Sequence, residues 1–191
     1  MSSAPRATDL THQRLIRAAL ELFSSRGYHD TTTAQIAKKA GVAEGTIYRH
    51  FPSKQQLLNE LYRAALRWAA KTVEDSGGAT PRARLALVAQ GFVEGAVRDP
   101  AMVKLGLLER HDGVLDDESR RTAREFRMGL ERVIAQGKAE GAVRAGAVDV
   151  WAGVWLAVVS YALEKVVVKE WKPGDAGVVL VIDGACEAIC A

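Results

Sequence analysis

Residues 32–58 read TTAQIAKKAGVAEGTIYRHFPSKQQLL, and they contain the clearest structural signals in the chain. Thr32, followed three positions later by Gln35, has the pattern of a capping box, which starts a helix. We expect this helix to end at Gly41, because glycine readily adopts the left-handed conformation that closes many helices. A second short helix is predicted to begin at Glu44. Two short helices joined by a glycine-containing turn are typical of the helix-turn-helix motif.

The sequence on either side of this stretch extends the helical pattern. Upstream, apolar residues recur with the period of an α-helix and predict a first helix between Thr11 and Gly27. Downstream, Pro52 ends the second short helix and Ser53 caps a longer helix that runs to about Glu74. The motif therefore lies between two further helices that can support it.

Charge is distributed unevenly along the chain of 191 residues. Residues 1–72 carry 11 Lys or Arg and 5 Asp or Glu, which gives a net charge of +6. Residues 73–191 carry 15 Lys or Arg and 18 Asp or Glu, which gives a net charge of −3. A basic N-terminal region favours a polyanionic partner such as nucleic acid, and chance clustering of solvated charge is the alternative interpretation.

The remaining sequence continues as helices, without sustained strand alternation bounded by hairpin turns. Thr80 is the predicted N-cap of the next helix. We expect helices over about 81–98, 101–110, 116–140, 148–171 and 175–191. The predicted fold class is therefore all-α. We predict three regions: a flexible arm over residues 1–10, a helix-turn-helix domain over 11–52 and a C-terminal helical domain over 53–191.

Composition excludes several classes of protein. The N-terminus lacks the apolar core of a signal peptide, and the longest apolar run, residues 151–163, is shorter than the roughly 20 residues of a membrane span. Cys186 and Cys190 are too few for the disulfide framework of a secreted domain. We therefore expect a cytoplasmic protein without a membrane partner. Without a nearby histidine, the two thiols are also predicted to be buried rather than to bind metal or sense oxidants.

Catalytic motifs are missing from the sequence. There is no nucleophile elbow, phosphate-binding glycine loop, HExxH motif or paired-carboxylate arrangement. We expect that the protein is not an enzyme and uses no cofactor. Two alternatives stay open: an all-α enzyme with an incidental basic region, and a ligand-independent or architectural DNA-binding protein.

A family resemblance is carried by the motif and the helices beside it. The matching residues are Thr32, Ile36-Ala37, Ala40-Gly41-Val42-Ala43, Gly45-Thr46-Ile47-Tyr48, His50-Phe51, Ser53-Lys54 and Leu57-Leu58. Together they resemble the DNA-binding signature of the tetracycline-repressor (TetR) family. The sequence departs from the family pattern at Ala34, which is often a longer polar residue, and at Ala43, which offers no hydroxyl cap. The resemblance implies a repressor that binds a pseudo-palindromic operator in double-stranded DNA as a homodimer and is released by a small-molecule effector.

The resemblance also implies which residues contact DNA. They are Thr32, Thr33, Glu44, Gly45, Thr46, Tyr48, Arg49, His50 and Lys54. Thr32, Thr46, His50 and Lys54 are expected near phosphates, and Glu44, Gly45, Tyr48 and Arg49 in the major groove. An arginine in the groove can bind guanine through two hydrogen bonds, although Arg49 can instead contact a phosphate. Tyr48 as a core aromatic, Lys54 as a solvated lysine and Glu44 as a charge favoured at a helix start are the structural alternatives.

The C-terminal region has an apolar interior by helical periodicity, with Met and Phe side chains that suit an adaptable pocket. The predicted ligand-binding residues are Phe92, Met102, Leu105, Leu108, Phe126 and Leu130. A filled core is the alternative for each. Because these side chains offer little to a polyanion, we expect an uncharged or amphipathic, mostly apolar effector. His111 is predicted to be either a solvated loop residue or a contact for a polar ligand group.

The last two predicted helices carry more apolar surface than a small domain needs, which favours a homodimer. The family resemblance implies that they form a four-helix bundle with a second copy. The predicted interface residues are Trp151, Trp155, Val158, Val159, Ala162, Val166, Val179 and Ile182.

Overall fold

The computed structural model describes residues 7–191, and this part of the chain is almost entirely helical. The helices are α1 Ala7–Arg26, α2 Thr33–Ala40, α3 Glu44–His50, α4 Lys54–Asp75, α5 Pro81–Arg98, α6 Pro100–Val103, α7 Asp117–Ala139, α8 Val148–Val167 and α9 Ala176–Ile189. A five-residue π-helix, Lys104–Leu108, follows α6 directly and is called the π-segment below. Within the described residues, β-structure is limited to one isolated bridge between Val143 and Cys190. The all-α prediction is confirmed.

The helix-turn-helix forms through the caps that its sequence predicts. Thr32 Oγ1 accepts a hydrogen bond from the Gln35 backbone N–H, and the Gln35 side chain accepts one from the Thr32 N–H, which completes the capping box. Gly41 closes α2 at φ +67°, in the left-handed region that favours glycine. Ser53 caps α4, whereas Ala43 gives α3 no side-chain cap. The angle between α2 and α3 is thus set by local sequence.

Two helix boundaries differ from the prediction. α1 begins at Ala7, so residues 7–10 of the predicted flexible arm are helical. Residues 1–6 of that arm lie outside the described residues. α8 ends at Val167 rather than at residue 171, because Lys169 adopts a left-handed conformation with φ +63° that stops the helix.

The predicted helix over residues 101–110 is replaced by α6 and the π-segment. Pro100 is the first residue of α6, where its missing N–H has no helical partner to lose. Beyond α6 the hydrogen bonds widen to the i→i+5 pattern, and the Glu109 N–H donates to the Lys104 carbonyl at 2.9 Å. Such π-turns occur mostly inside helices at functional sites.

The buried residues form two apolar clusters. The N-terminal cluster is built mainly from α1 to α4 and includes Leu105 of the π-segment. The C-terminal cluster is built from α4, α5, α7, α8 and α9. At its centre is an aromatic group in which the ring centroid of Phe92 lies 5.8 Å from that of Trp68 and 6.4 Å from that of Trp155. The first half of α4 packs in the N-terminal cluster and its second half in the C-terminal one. α4 and the π-segment therefore connect the two halves of the molecule.

The predicted dimer residues divide into a buried and a surface group. Trp155, Val159, Ala162, Val166 and Ile182 are buried within the single chain, so the prediction is wrong for them: they form the inner faces of α8 and α9. Trp151 and Val158 are half-buried, and Val179 is exposed. Periodicity gives both faces of these helices as apolar, and it cannot tell which face meets the chain's own core. The apolar residues exposed on α8 and α9 and just after α8 are Val150, Tyr161, Val168, Val179 and Leu180.

α8 is also long and apolar enough to cross a membrane, by length and composition only. This differs from the sequence expectation, which considered the unbroken apolar run and not the whole 20-residue helix. In the fold, a third of its apolar window is buried and packs in the C-terminal cluster. The rest of the apolar window is not buried within the chain.

Candidate nucleic-acid interface and ligand cavity

The outer face of α3 carries most of the predicted DNA contacts, and it is open to solvent. Glu44, Gly45, Tyr48 and Arg49 are exposed, whereas Ile47 on the opposite face is buried in the N-terminal cluster. Tyr48 is 54% exposed, which excludes its alternative role as a core aromatic. The helix therefore presents a polar outer face on an apolar inner face, as a recognition helix requires.

Thr33 connects α2 to this outer face. Its hydroxyl donates to the Glu44 carboxylate at 3.3 Å and lies 3.2 Å from the Tyr48 phenol oxygen. A phenol that donates to Thr33, which in turn donates to Glu44, satisfies all three groups. The predicted contact residue Thr33 is thus placed where it orients two other predicted contacts.

The remaining predicted contacts lie at the edges of the same face. The Arg49 guanidinium makes no hydrogen bond or ion pair with any residue in 7–191, so it is free to bind a partner. Thr32 is exposed and accepts the cap hydrogen bond, which leaves its hydroxyl proton for an acceptor. Thr46 and His50 are half-buried, and the His50 ring lies 5.8 Å from that of His12.

Lys54 has a structural role that the sequence did not reveal. Its ammonium donates to the carbonyl oxygens of Tyr28 at 2.8 Å and Thr31 at 2.7 Å, and it lies 4.2 Å from the Tyr28 ring centroid. The predicted phosphate contact is therefore wrong for this conformation. The loop before α2 has carbonyls that face the start of α4, and Lys54 satisfies two of them. Lys54 thus connects α4 to the loop between α1 and α2.

A cavity of about 270 Å³ lies between α4, the π-segment, α7 and α8. Its volume is close to the lower end of the range for ligand sites, roughly 300–1,000 Å³. The side chains of its apolar wall are Leu66, Leu107, Ala123, Phe126, Leu130, Ala152 and Leu156, and its polar side chains are Tyr62, Glu109, Arg124 and Arg127. The cavity can therefore hold a compact apolar body that carries a polar group.

Two of the six predicted ligand residues, Phe126 and Leu130, line this cavity. The prediction is wrong for the other four. Phe92 is fully buried in the aromatic group, Leu105 belongs to the N-terminal cluster, and Met102 packs against that cluster. Leu108 packs against the C-terminal cluster, and its neighbour Leu107 faces the cavity instead. The π-segment explains this last shift, because a wider helical turn changes which residues face inward.

The polar residues of the cavity were missed by the sequence analysis. Arg124 and Arg127 lie three residues apart on α7, on the face that also carries Phe126 and Leu130, and this spacing was visible in the sequence. Both are exposed and make no ion pair with any residue that the structure describes. Burial raises the pKa of Tyr62, with a further increase from Asp112, so its phenol remains a hydrogen-bond donor at neutral pH.

The π-segment connects the cavity to α1. His111 is buried rather than solvated, with Nε2 2.8 Å from the Leu105 carbonyl oxygen and its ring against Tyr62 of the cavity. The Lys104 ammonium donates to the Ser24 carbonyl at the end of α1. At the start of α6, an ion pair of 2.8 Å joins Asp99 to Arg17 of α1. A displacement of the cavity wall would therefore be felt directly by α1.

An exposed polar helix after a tight turn, joined to a helical domain with an internal cavity, defines a helix-turn-helix protein. Residues 15–61 match the sequence pattern of the family described as bacterial regulatory proteins, tetR family. The chain is 37% identical over 134 residues to the HTH-type transcriptional regulator TcmR of Streptomyces glaucescens, over 65% of this chain and 59% of TcmR. It is 29% identical over 141 residues to the fatty acid metabolism regulator protein of Bacillus subtilis, over 71% of this chain and 72% of that protein.

Solved structures share the fold across nearly the whole chain. A putative tetR family regulator from Shewanella sp. PV-4 has a TM-score of 0.75 at 24% identity and covers 95% of this chain and 98% of its own. FadR of Bacillus subtilis, crystallised in complex with stearoyl-CoA, has a TM-score of 0.69 at 25% identity and covers 92% and 96%. Residues 15–61 thus match the tetR family of bacterial regulatory proteins, and the fold of nearly the whole chain is similar to that of solved tetR-family structures. The chain aligns with less than two thirds of the length of TcmR.

The Lys54→Ala substitution should destabilise the fold without changing the electrostatics of DNA binding. We expect the free energy of unfolding to fall by about 1–3 kcal/mol, because two part-buried carbonyls lose a charged donor. The slope of log affinity against log salt should match that of the unchanged chain, since no phosphate contact is lost. Denaturant unfolding and DNA titrations at several salt concentrations measure both quantities. A shallower slope at unchanged stability would restore the phosphate contact.

The Arg49→Ala substitution should have the opposite signature. We expect stability to be unchanged, because the guanidinium has no partner within residues 7–191. Preference at one operator position should be lost, at a cost of about 1–3 kcal/mol for the preferred base. Selection from a random DNA library, carried out with both proteins, measures the preference at each position. Unchanged selectivity with a shallower salt dependence would assign Arg49 to a phosphate.

Proposed function

We propose that this protein is a ligand-responsive repressor that binds a pseudo-palindromic operator as a homodimer and leaves it when a small effector fills the cavity. The observation that carries the proposal is the position of the π-segment. Gly106 and Leu107 line the cavity, while the adjacent Leu105 is fully buried in the N-terminal cluster. One short segment thus contacts both the ligand site and the DNA-binding domain.

The DNA-binding part is residues 11–52, with α3 in the major groove. Glu44, Gly45, Tyr48 and Arg49 face the base edges, and Thr33 holds the first and third of these in place. Backbone-positioning contacts come from Thr32, Thr46 and His50, at the edges of the face. The protein acts in the cytoplasm, where its DNA is, and needs neither enzymatic activity nor a cofactor.

Dimerisation follows from the size of the recognition helix and from the exposed face of α8 and α9. A helix of seven residues reads one half-site, and two such helices must be held about one DNA turn, roughly 34–36 Å, apart. Leu180 is 73% exposed, and Tyr161 and Val179 are about half exposed on the same pair of helices. Packing this face on a second copy removes it from water and fixes the spacing. Residues 53–191 thereby provide both the ligand site and the dimer contact.

Release from DNA requires that the effector bind better to a conformation in which the distance between the two recognition helices does not match the operator. In the structure the π-segment has no room to move towards α4: a Cβ placed on Gly106 would lie 2.6 Å from the Ala65 Cβ. An effector that enters between α7 and α4 must therefore push the π-segment outward. Because Leu105 and Lys104 contact the N-terminal domain, that domain moves with it.

The relatives support an effector with a substantial apolar part. FadR of Bacillus subtilis was crystallised in complex with stearoyl-CoA, and the curated relative from the same organism is a fatty acid metabolism regulator protein. The wall of this cavity, with Leu66, Phe126 and Leu130, agrees with such a ligand. Its volume of about 270 Å³ fits only a compact body in the conformation described here, so a longer ligand would have to enlarge it.

The function is tested with operator DNA selected from a random library by the unchanged chain. We expect inverted repeats that bind two chains. Gly106→Ala should mimic the effector, because the added methyl group forces the π-segment away from Ala65, and we expect operator affinity to fall about fivefold or more without ligand. Fluorescence anisotropy of labelled operator measures the affinity.

Gly129→Ala is the matched control for this substitution. Gly129 is a buried helical glycine of α7 whose added Cβ would meet only ordinary contacts, at 3.8 Å or more. We expect its operator affinity to equal that of the unchanged chain. Equal affinities for Gly106→Ala and Gly129→Ala, with both proteins folded by circular dichroism, would leave a DNA-binding protein in which the π-segment does not control binding.

A further inference from the structure

We propose that the effector is an amphipathic molecule with one oxyanionic group, a carboxylate or a phosphate, which Arg124 and Arg127 bind at the side of the cavity. Its apolar body lies against Phe126 and Leu130. This inference rests on the proposed function, because it takes the cavity as the effector site. The inference narrows the class of effector from mostly apolar molecules in general to amphipathic molecules that carry one carboxylate or phosphate group.

Two arginines of α7 lie close together on the wall of the cavity. Arg124 and Arg127 line the cavity together with Phe126 and Leu130 of the same helix. Residues three apart on a helix are neighbours, about 5–6 Å between Cβ atoms, so the two guanidinium groups can reach one oxyanion. Guanidinium groups are matched in shape to carboxylate and phosphate, which they bind through paired hydrogen bonds.

The arginines near this end of α7 differ in whether they have an acidic partner. Arg63 forms an ion pair with Asp116 at 3.0 Å, and Arg120 forms one with Asp117 at 2.7 Å. Arg124 and Arg127, by comparison, have no acidic partner within 4.0 Å in residues 7–191. Arg121 at the same end of α7 is also unpaired but lies outside the cavity, whereas Arg124 and Arg127 are unpaired arginines that line it.

The acidic residues at or near the cavity do not neutralise its two arginines. Glu109 also lines it, but the Glu109 carboxylate already pairs with the Lys104 ammonium at 3.5 Å. Asp112 lies near enough to affect the pKa of Tyr62, on which Arg127 has the opposite effect. Asp112 itself is exposed on the loop and does not line the cavity. The unpaired charge on the wall is therefore positive, which disfavours a cationic ligand.

The cavity also has a neutral hydrogen-bond donor, the Tyr62 hydroxyl, near Arg127. Tyr62 lines the same cavity from α4 and stays protonated at neutral pH, so its hydroxyl can donate to an oxyanion or to a neighbouring polar atom. The other side chains of the wall are apolar apart from Glu109. The Arg127 charge acts on the pKa of Tyr62, so this neutral donor lies near a cavity arginine, and both border an apolar wall, as an amphipathic ligand requires.

The experiment measures binding of three probes that share a ten-carbon chain: decanoate, decyl phosphate and decan-1-ol. Isothermal titration of the full chain at fixed ionic strength gives each dissociation constant. We expect at least one anionic probe to bind about tenfold more tightly than the alcohol, a moderate factor because both arginines are partly solvated. The comparison of decanoate with decyl phosphate identifies which oxyanion is preferred.

The variant is the double substitution Arg124→Gln with Arg127→Gln, and the matched control is Arg121→Gln. Arg121 is exposed on the same helix but does not line the cavity. We expect the double variant to bind all three probes with similar affinity and to bind decan-1-ol as the unchanged chain does. Arg121→Gln should keep the preference for the anion. A preference for decan-1-ol, equal binding of all probes, an unaltered preference in the double variant, or no binding of any probe would overturn the proposal.

Operator release is measured separately, so the two proposals can fail independently. An anionic probe that binds through Arg124 and Arg127 but leaves operator affinity unchanged would support this ligand class and reject the effector role of the cavity. A loss of operator affinity caused equally by decan-1-ol and decanoate would support the repressor function and reject the role of the arginines.

Discussion

The insertion of Leu105 into the N-terminal cluster is the contact on which the coupling between the two halves depends. Leu105 is fully buried among residues of α1 to α4, while the next two residues line the cavity. Burial of a leucine side chain contributes about 1.5–3 kcal/mol. The Arg17–Asp99 ion pair, which joins α1 to the start of α6, lies at the surface and contributes about 1 kcal/mol or less. Burial of Leu105 therefore contributes more to the connection between ligand site and DNA-binding domain than this ion pair does.

A second connection runs through α4, which packs in both apolar clusters and also makes polar contacts. The buried Asn59 side chain donates to the Val114 carbonyl and accepts from the Asp116 N–H, and Arg63 pairs with Asp116. These bonds join α4 to the start of α7, which carries the cavity arginines. At its other end, Lys54 joins α4 to the loop before α2. A ligand that separates α4 from α7 therefore acts at one end of a helix whose other end supports the motif.

The sequence was sufficient where structure is local. The caps at Thr32 and Ser53, the glycine at the end of α2 and the exposed outer face of α3 all depend on neighbouring residues, and each is as predicted. The cavity was less predictable, because periodicity shows that Phe92 points inward but not whether it meets a side chain or a void. The π-segment was invisible for the same reason, since its wider turn depends on packing rather than on a residue pattern.

Surface and core were also confused where both faces of a helix are apolar. Trp155 and Val159 have the same character as the exposed Val179, so the division of α8 and α9 into a core face and an open face had to come from the fold. Lys54 illustrates the converse. Its place in the family signature implies a phosphate contact, but only the loop carbonyls of Tyr28 and Thr31 show what it binds.

In the proposed function, ligand and DNA compete through two conformations of one chain. The direct measurement is the affinity of decanoate for the free protein and for the protein saturated with its selected operator. Coupling of about 1–3 kcal/mol predicts that operator weakens decanoate binding roughly 5–150-fold, and by the same factor that decanoate weakens operator binding. Equal decanoate affinities in the two states, with decanoate bound in the cavity, would contradict the account.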